Sequence, residues 1–365
     1  MSVRVTILPG DGIGVEVMDA GVAVMEHIAG RFQVDLQSST GLVGGVSIDD
    51  CGVPITDEIL QACLDADVVL LGAIGGPLWD DLPHDQKPER ALLKLREALE
   101  LFTNLRPVKV YDSLVGASTL RPEVVTGIDL LVVRELTGGI YFGEPRGYDQ
   151  DRGWNTLVYT RPEVERIARV AFDIATKRRG HVTNVHKANI LESSQFWREV
   201  VQEIHREYPS ITLVDMYVDN AAMQLVRDPR QFDVIVTQNM FGDILSDAAA
   251  MITGSLGMLP SASLGARHAL YESVHGSAPD IAGQGKANPL AMIASVGMMF
   301  ATSLDLPQAA QVLDQAIDRT LANDFRTADI ATPDSTVVST DQMRDRIIET
   351  FDEEYDRYRQ TGSAG

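Results

Sequence analysis

Cysteine is nearly absent: Cys51 and Cys63 are the only two in 365 residues. That is too few for a disulfide framework or a thiolate metal site, and both read as buried or inert thiols. Lysine is scarce as well, supplying six of the 31 basic residues, which face 52 acidic ones. The resulting net charge of −21 excludes partners that reward excess Lys and Arg, so neither a nucleic acid nor an anionic membrane surface is expected. No apolar run approaches the roughly 20 residues needed to span a bilayer. The opening MSVRVTILPG begins as a strand, not as a charged leader with an apolar centre, and a cytoplasmic protein is expected. There is no internal repeat and no low-complexity segment. At 365 residues with 45% hydrophobic content, the chain exceeds one ordinary core, and two domains are expected.

Strand-like and helix-like patterns alternate along the chain, which places it in the α/β class. Val3 to Leu8 reads as a buried strand, followed by Pro9-Gly10-Asp11-Gly12-Ile13-Gly14 and an amphipathic helix from Val15 to Ile28. Such an opening suits either phosphate binding or a plain tight turn, and Val15 stands where a dinucleotide fingerprint would place its third glycine. A second strand is expected over Phe32 to Leu36, a helix from about Thr56, and a third strand over Val68 to Leu71. That third strand opens into Gly72-Ala73-Ile74-Gly75-Gly76-Pro77, where close backbone approach is expected.

The densest chemistry lies between Val218 and Ala250. Asp219 follows the apolar run Ile211 to Val218, and the run Asp233 to Gln238 leads into Asp243 and Asp247; strand, helix, strand, helix is the simplest reading. Acids four apart share a helix face, and ligands of open α/β sheets gather beyond the carboxyl ends of strands. Two readings fit: helix-start acids complementing the macrodipole, or oxygen ligands for magnesium or manganese.

Other positions carry a similar choice. Over Glu89 to Arg106, Leu92, Leu95 and Leu99 form a helical core stripe, and Arg106 is expected at the helix's end before Pro107. Arg96, Arg106 and Arg134, the last directly after the apolar run Leu130 to Val133, suit either surface ion pairs or an anionic substrate with more than one carboxylate. Tyr141 is a packing residue, or a proton donor if a neighbouring cation lowers its pKa. Lys187, between a short strand and a helix, is solvent-exposed by default, or acts in proton transfer beside a metal. The glycine-bearing loop from Glu272 to Pro289 precedes an apolar helix, Leu290 to Phe300. Its backbone amides suit a nucleotide, and Asp280 suits a ribose diol.

Together, GAIGGP with Trp79-Asp80, the LR…NLRPVKV run, VRELTGGIYFG, HKANIL, the acids of the 218–250 stretch and HGSAPDIAG…ANP resemble the metal-dependent β-decarboxylating dehydrogenases of the isocitrate/isopropylmalate type. The resemblance runs from Ile7 to about Phe300. It implies a two-domain α/β fold distinct from the Rossmann fold: residues 1–101 with 254–365 as a cofactor-binding domain, 102–253 as a metal and dimerisation domain, and the active site in the cleft between them.

The resemblance also implies roles. Arg96, Arg106 and Arg134 match arginines that hold the malate carboxylates. Asp219, Asp243 and Asp247 match the Mg2+ or Mn2+ ligands, through which Asp219 also reaches the substrate. Tyr141 and Lys187 match the proton-transfer pair, with Lys187 and Asp219 entering the partner's site in a homodimer. Glu89, Leu92 and Leu93 match a pocket for an isopropyl group, where relatives acting on isocitrate hold a third carboxylate; 3-isopropylmalate is the implied substrate, and a D-malate or tartrate enzyme of the same fold is the alternative. His275, Gly276, Ser277, Ala278, Pro279, Asp280, Ile281 and Asn288 match the dinucleotide site. The acid at Asp280 points to NAD, since it would repel the extra phosphate of NADP.

Overall fold

The computed structural model describes residues 2–362. Ten strands form one sheet: β1 (Ser2–Gly10), β2 (Asp35–Thr40), β3 (Val68–Ala73), β4 (Thr103–Lys109), β5 (Asp129–Glu135), β6 (His181–His186), β7 (Thr212–Tyr217), β8 (Val234–Thr237), β9 (Pro260–Leu264) and β10 (Ala269–Ser273). Their spatial order is β2-β1-β3-β10-β9-β4-β5-β8-β6-β7. The flanks are parallel, whereas β10-β9-β4-β5 in the middle run antiparallel to one another. One half of the sheet therefore comes from residues before Thr103 and after Thr253, and the other half from the stretch between. This agrees with the expected α/β class, and the antiparallel centre sets the sheet apart from an all-parallel doubly wound one.

Strand parity decides which helices lie where, because successive side chains point to opposite faces. Ile7, Val68, Leu70, Val133 and Val236 face a layer containing α1 (Gly14–Phe32), α3 (Arg161–Thr176), α4 (Glu192–His205), α7 (Leu290–Thr302), α8 (Pro307–Ala322) and α9 (Thr340–Gly362). On the opposite face, Val69 and Leu71 pack with Leu95 and Leu99 in and after α2 (Glu89–Ala98). On that same face, Leu130, Val132 and Ile235 pack with α5 (Val218–Arg227) and α6 (Asn239–Ala250). No helix among the described residues is long and apolar enough to cross a membrane.

Several boundaries differ from expectation for local reasons. Helix α1 absorbs Phe32 and ends on Gln33 in the left-handed region, φ 58°, so the second strand starts at Asp35. The helical pattern over Glu89 to Arg106 breaks at Ala98, and Glu100 turns the chain with φ 52°. Arg106 is consequently not at a helix end: it lies within β4, opposite Val132 of β5. Arg134 likewise lies within β5, not after it. Along the α2 stripe, Leu95 and Leu99 are buried while Leu92 is half-buried.

The glycine turn after β1 is clamped inside the protein. The backbone N–H of Asp11 donates to the Ala73 carbonyl (2.7 Å), and that of Ile13 donates to Ser277 (2.8 Å). A Cβ on Gly12 would lie 2.1 Å from the Ser277 oxygen, and φ there is +56°. These amides serve the fold, so the turn is a close backbone approach and not a phosphate cradle. The carboxylate of buried Asp11 accepts from the N–H groups of Gly45, Val46 and Gly75, all at 2.8 Å, tying three glycine-rich loops together.

Cys63 is fully buried, and burial pushes its thiol up to about 12, whereas Cys51 is exposed. An aromatic disulfide reagent should therefore titrate one thiol per native chain and two after denaturation. Two fast-reacting thiols in the native protein would contradict this packing.

Candidate active site

Pairing register brings the arginines together. Asn104 lies opposite Arg134, and Arg106 is two residues along from Asn104, so all three project from the face that α6 covers. Gly242 makes the approach possible: a Cβ there would sit 2.7 Å from Cγ of Arg134. Arg134, 1% exposed, donates from Nη1 to Asp243 at 2.5 Å and from Nε and Nη2 to Oδ1 of Asn239 at 3.0 and 2.8 Å. Arg106 donates to Asn104 (2.9 Å), Ser246 (2.7 Å) and Asp247 (2.9 Å). Arg96, in the last turn of α2, pairs with buried Glu272 at the end of β10 (3.2 Å).

The acids respond to these cations. Burial opposes ionisation of Asp243, but Arg134 and Arg106 outweigh it and hold the carboxyl below its ordinary value. Burial raises Asp247, which Arg106 counters and the charge on Asp243 reinforces. Burial lowers Arg134 to about 10 despite Asp243, which leaves it cationic at neutral pH. Three guanidinium groups thus stand against three carboxylates, and a dianion arriving with a divalent cation would preserve that balance.

Tyr141 donates to Oδ2 of Asp243 (3.0 Å). The expectation of a neighbouring cation lowering its pKa is reversed here: burial and the charge on Asp243 raise it, and the opposing effect of Arg134 is smaller. Tyr141 is accordingly held as the neutral phenol, suited to giving a proton to a strongly basic atom. A cavity of about 550 Å3 opens beside it, lined by Ile55, Leu93, Lys94, Tyr141, Phe142 and Arg146 among others. Leu92 and Leu93 are half-buried on α2, and Glu89 is exposed at its start.

The three aspartates do not converge within one chain. Asp243 and Asp247 share a face of α6 around Arg106. Asp219, at the start of α5, instead pairs with Lys187 at 2.9 Å, and this bond holds the Asp219 carboxyl below its ordinary value. Among the described residues no group of three His, Cys, Asp or Glu side chains could hold an ion. The Asp243–Asp247 pair is a hard oxygen donor set with one acid raised, which fits Mg2+ or Mn2+ but leaves most of the coordination sphere to other ligands.

In the loop after β10, His275 keeps Nδ1 against the Gly276 carbonyl (2.9 Å), while its buried Nε2 has no partner. Burial lowers the imidazole pKa. A neutral ring with an orphaned nitrogen fits a polar ligand such as a nucleoside. Asp280 is exposed, and Ser277 is buried with its carbonyl engaged by Ile13. Asn288 is committed internally: it donates to Asp329 (3.0 Å) and accepts from the Leu290 N–H (3.0 Å) at the start of α7. Three polar residues passed over in sequence reading, Asn104, Asn239 and Glu272, fix the arginines. They sit among apolar strand and helix positions, where hydrophobic periodicity gives them no signal; a helix start directly after the apolar run ending at Gln238 is the signal that could have found Asn239.

The isocitrate/isopropylmalate dehydrogenase family model matches residues 4–347. The 3-isopropylmalate dehydrogenase of Chlorobium chlorochromatii is 58% identical over 348 residues, 95% of this chain and 99% of that protein. That of Halalkalibacterium halodurans is 54% identical over 356 residues, covering 96% and 98%. Among solved structures, isocitrate dehydrogenase from Methylococcus capsulatus superposes with a TM-score of 0.84 at 36% identity, covering 95% of this chain and 99% of that one. A β-decarboxylating dehydrogenase from Thermococcus kodakarensis gives 0.80 at 35%, covering 96% of each.

Gly242→Ala should force Arg134 off its seat and lower stability by about 1–3 kcal/mol, the usual cost of overpacking. Gly30→Ala, in α1 with nothing within 4 Å of the added Cβ, is the matched control and should leave the melting temperature unchanged or higher. Equal melting temperatures for Gly242→Ala and the parent would refute the packing argument.

Proposed function

The chain belongs to the isocitrate/isopropylmalate dehydrogenase family, and from that premise we propose that it oxidatively decarboxylates (2R,3S)-3-isopropylmalate to 4-methyl-2-oxopentanoate and CO2 in leucine biosynthesis. We further propose NAD as oxidant, Mg2+ or Mn2+ as the metal, and a homodimer as the working unit. The observation that carries this reading is the set of three buried arginines, Arg96, Arg106 and Arg134, converging beside the half-buried Leu92 and Leu93. Forked guanidinium groups suit the two malate carboxylates, and the leucines suit an isopropyl group. Glu89 opposes a third carboxylate.

Asp243 and Asp247 would hold the metal with Asp219 of a second copy, and the bound ion would supply charge stabilisation at the substrate's developing oxyanion. Residues 275–288 would hold NAD, with Asp280 on the ribose and the unpartnered His275 nitrogen on the nucleoside, and the bound cofactor would supply the hydride acceptor. Lys187 of that second copy, as the neutral amine, would take the substrate's hydroxyl proton as the hydride leaves; its pairing with Asp219 keeps it in reach of the same site. Breaking the bond to the departing carboxyl leaves an electron pair on carbon, and the neutral Tyr141 phenol protonates it.

Residues 1–101 with 254–365 and residues 102–253 are read as the two domains flanking this cleft. A dimer is supported by exposed apolar side chains on neighbouring helices: Met223 (61%) and Val226 (58%) on α5, and Ile244 (59%) on α6. Such a cluster on a monomer's surface marks an interface.

With purified protein, NAD and Mg2+, NADH formation should be fastest with 3-isopropylmalate; faster turnover of D-malate, tartrate, homoisocitrate or isocitrate would overturn the substrate assignment. Asp243→Asn should abolish metal-dependent turnover, and unchanged metal dependence would remove that residue from the metal site. Replacing Met223 and Val226 with Glu together should give a monomer in sedimentation analysis with little activity. A fully active monomer would exclude shared sites.

A further inference from the structure

Asn239, the first residue of α6, is 1% exposed and uses every hydrogen-bonding position of its amide. Its Oδ1 accepts from Nε and Nη2 of Arg134, at 3.0 and 2.8 Å. Its Nδ2 donates to the carbonyls of Leu136 (3.0 Å) and Gly138 (3.1 Å). Its backbone N–H donates to the buried Tyr159 hydroxyl (2.9 Å). The partners fix which end is which: guanidinium N–H groups require the oxygen, and carbonyls require the NH2.

Those two carbonyls belong to the turn that runs from Arg134 to Tyr141. The turn is tied elsewhere as well: the Leu136 N–H donates to the Phe102 carbonyl (2.9 Å), Arg166 donates to the Thr137 hydroxyl (2.8 Å) and Arg146 donates to the Tyr141 carbonyl (2.7 Å), whereas Asn239 bonds both the turn and the Arg134 guanidinium. The Glu135 carboxylate accepts from the Thr137 and Gly138 N–H groups (3.1 and 2.8 Å), and the Gly139 N–H donates to Val158 (3.0 Å). At Gly139, φ is +76°, and a Cβ would meet the Tyr159 hydroxyl at 2.2 Å. Arg134 and Tyr141 also meet directly, with the guanidinium 5.8 Å from the Tyr141 ring centroid, and both bond Asp243.

We propose that Asn239 is a positioning residue that sets two functions at once, with its oxygen aiming Arg134 at a substrate carboxylate and its nitrogen holding the 136–138 turn that presents the Tyr141 phenol. The inference rests on the proposed reaction. Replacing the amide frees both arms, and misplacement by about an ångström costs up to ~100-fold in rate.

The test compares the parent, Asn239→Ala and Asn239→Asp, alone and in a Tyr141→Phe background, after unfolding curves establish that each folds. Parent turnover of 3-isopropylmalate is measured first; its absence would sink the proposed function and is distinct from the outcomes below. For Asn239→Ala, we expect kcat to fall by about tenfold or more, and calorimetric binding of 3-isopropylmalate with Mg2+, measured without NAD, to weaken by a similar factor. Asn239→Asp keeps the size and the acceptor toward Arg134 but turns an acceptor on the two carbonyls. It should lower kcat as far as Ala while weakening binding less, and it serves in place of Ala should that variant not fold. In the Tyr141→Phe background either substitution should cost kcat little more, because the two changes act on one step. Unchanged kcat and binding, or a full additional loss in the Tyr141→Phe background, would overturn the inference.

Discussion

The structure depends on a buried charge lattice at the centre of the sheet. Burying three guanidinium groups is costly unless each is paired and its N–H groups are bonded, and here the partners come from both halves of the chain. Glu272 comes from one half, and Asn104, Asn239, Asp243, Ser246 and Asp247 come from the other. Removing a carboxylate deprives a buried guanidinium of a counter-charge, and removing an amide or hydroxyl partner leaves some of its N–H groups unbonded. The lattice is also why Arg134 stays cationic although burial pulls it down to about 10.

Sheet topology places the lattice. The antiparallel centre, β10-β9-β4-β5, is where the two halves of the chain meet, and the side chains of one parity there face α6 and the end of α2. A ligand that bridges that seam contacts both halves. The seam already carries equal opposing charge, so on the proposed reaction an anionic substrate and a cation entering together would keep that balance.

Much of this was legible in the sequence. The α/β alternation, the strand ends, the apolar helix from Leu290, and the candidate arginines and acids were readable from period and residue type. Arg106 was misplaced because the leucine stripe of α2 runs on toward it, and the break falls at Glu100, a non-glycine in the left-handed region that leaves no mark in sequence. The separation of Asp219 from Asp243 and Asp247 was not readable from spacing along the chain and was expected only through the family resemblance; within the chain, Asp219 pairs with Lys187 instead. The direction of the Tyr141 shift was not readable because it follows from burial first and then from a contact with Asp243, both of which only the folded turn creates.

The seam has a further consequence for how the molecule is made. β3 is buried along its whole length, yet one of its two neighbours is β10, whose first residue is Ala269. As the nascent chain leaves the ribosome, residues 1–101 must wait with an apolar strand edge uncovered, a template for unwanted pairing. The segment that follows can meanwhile complete β5, β8, β6 and β7. Residues 1–101 therefore complete their part of the sheet only once β10 has been synthesised.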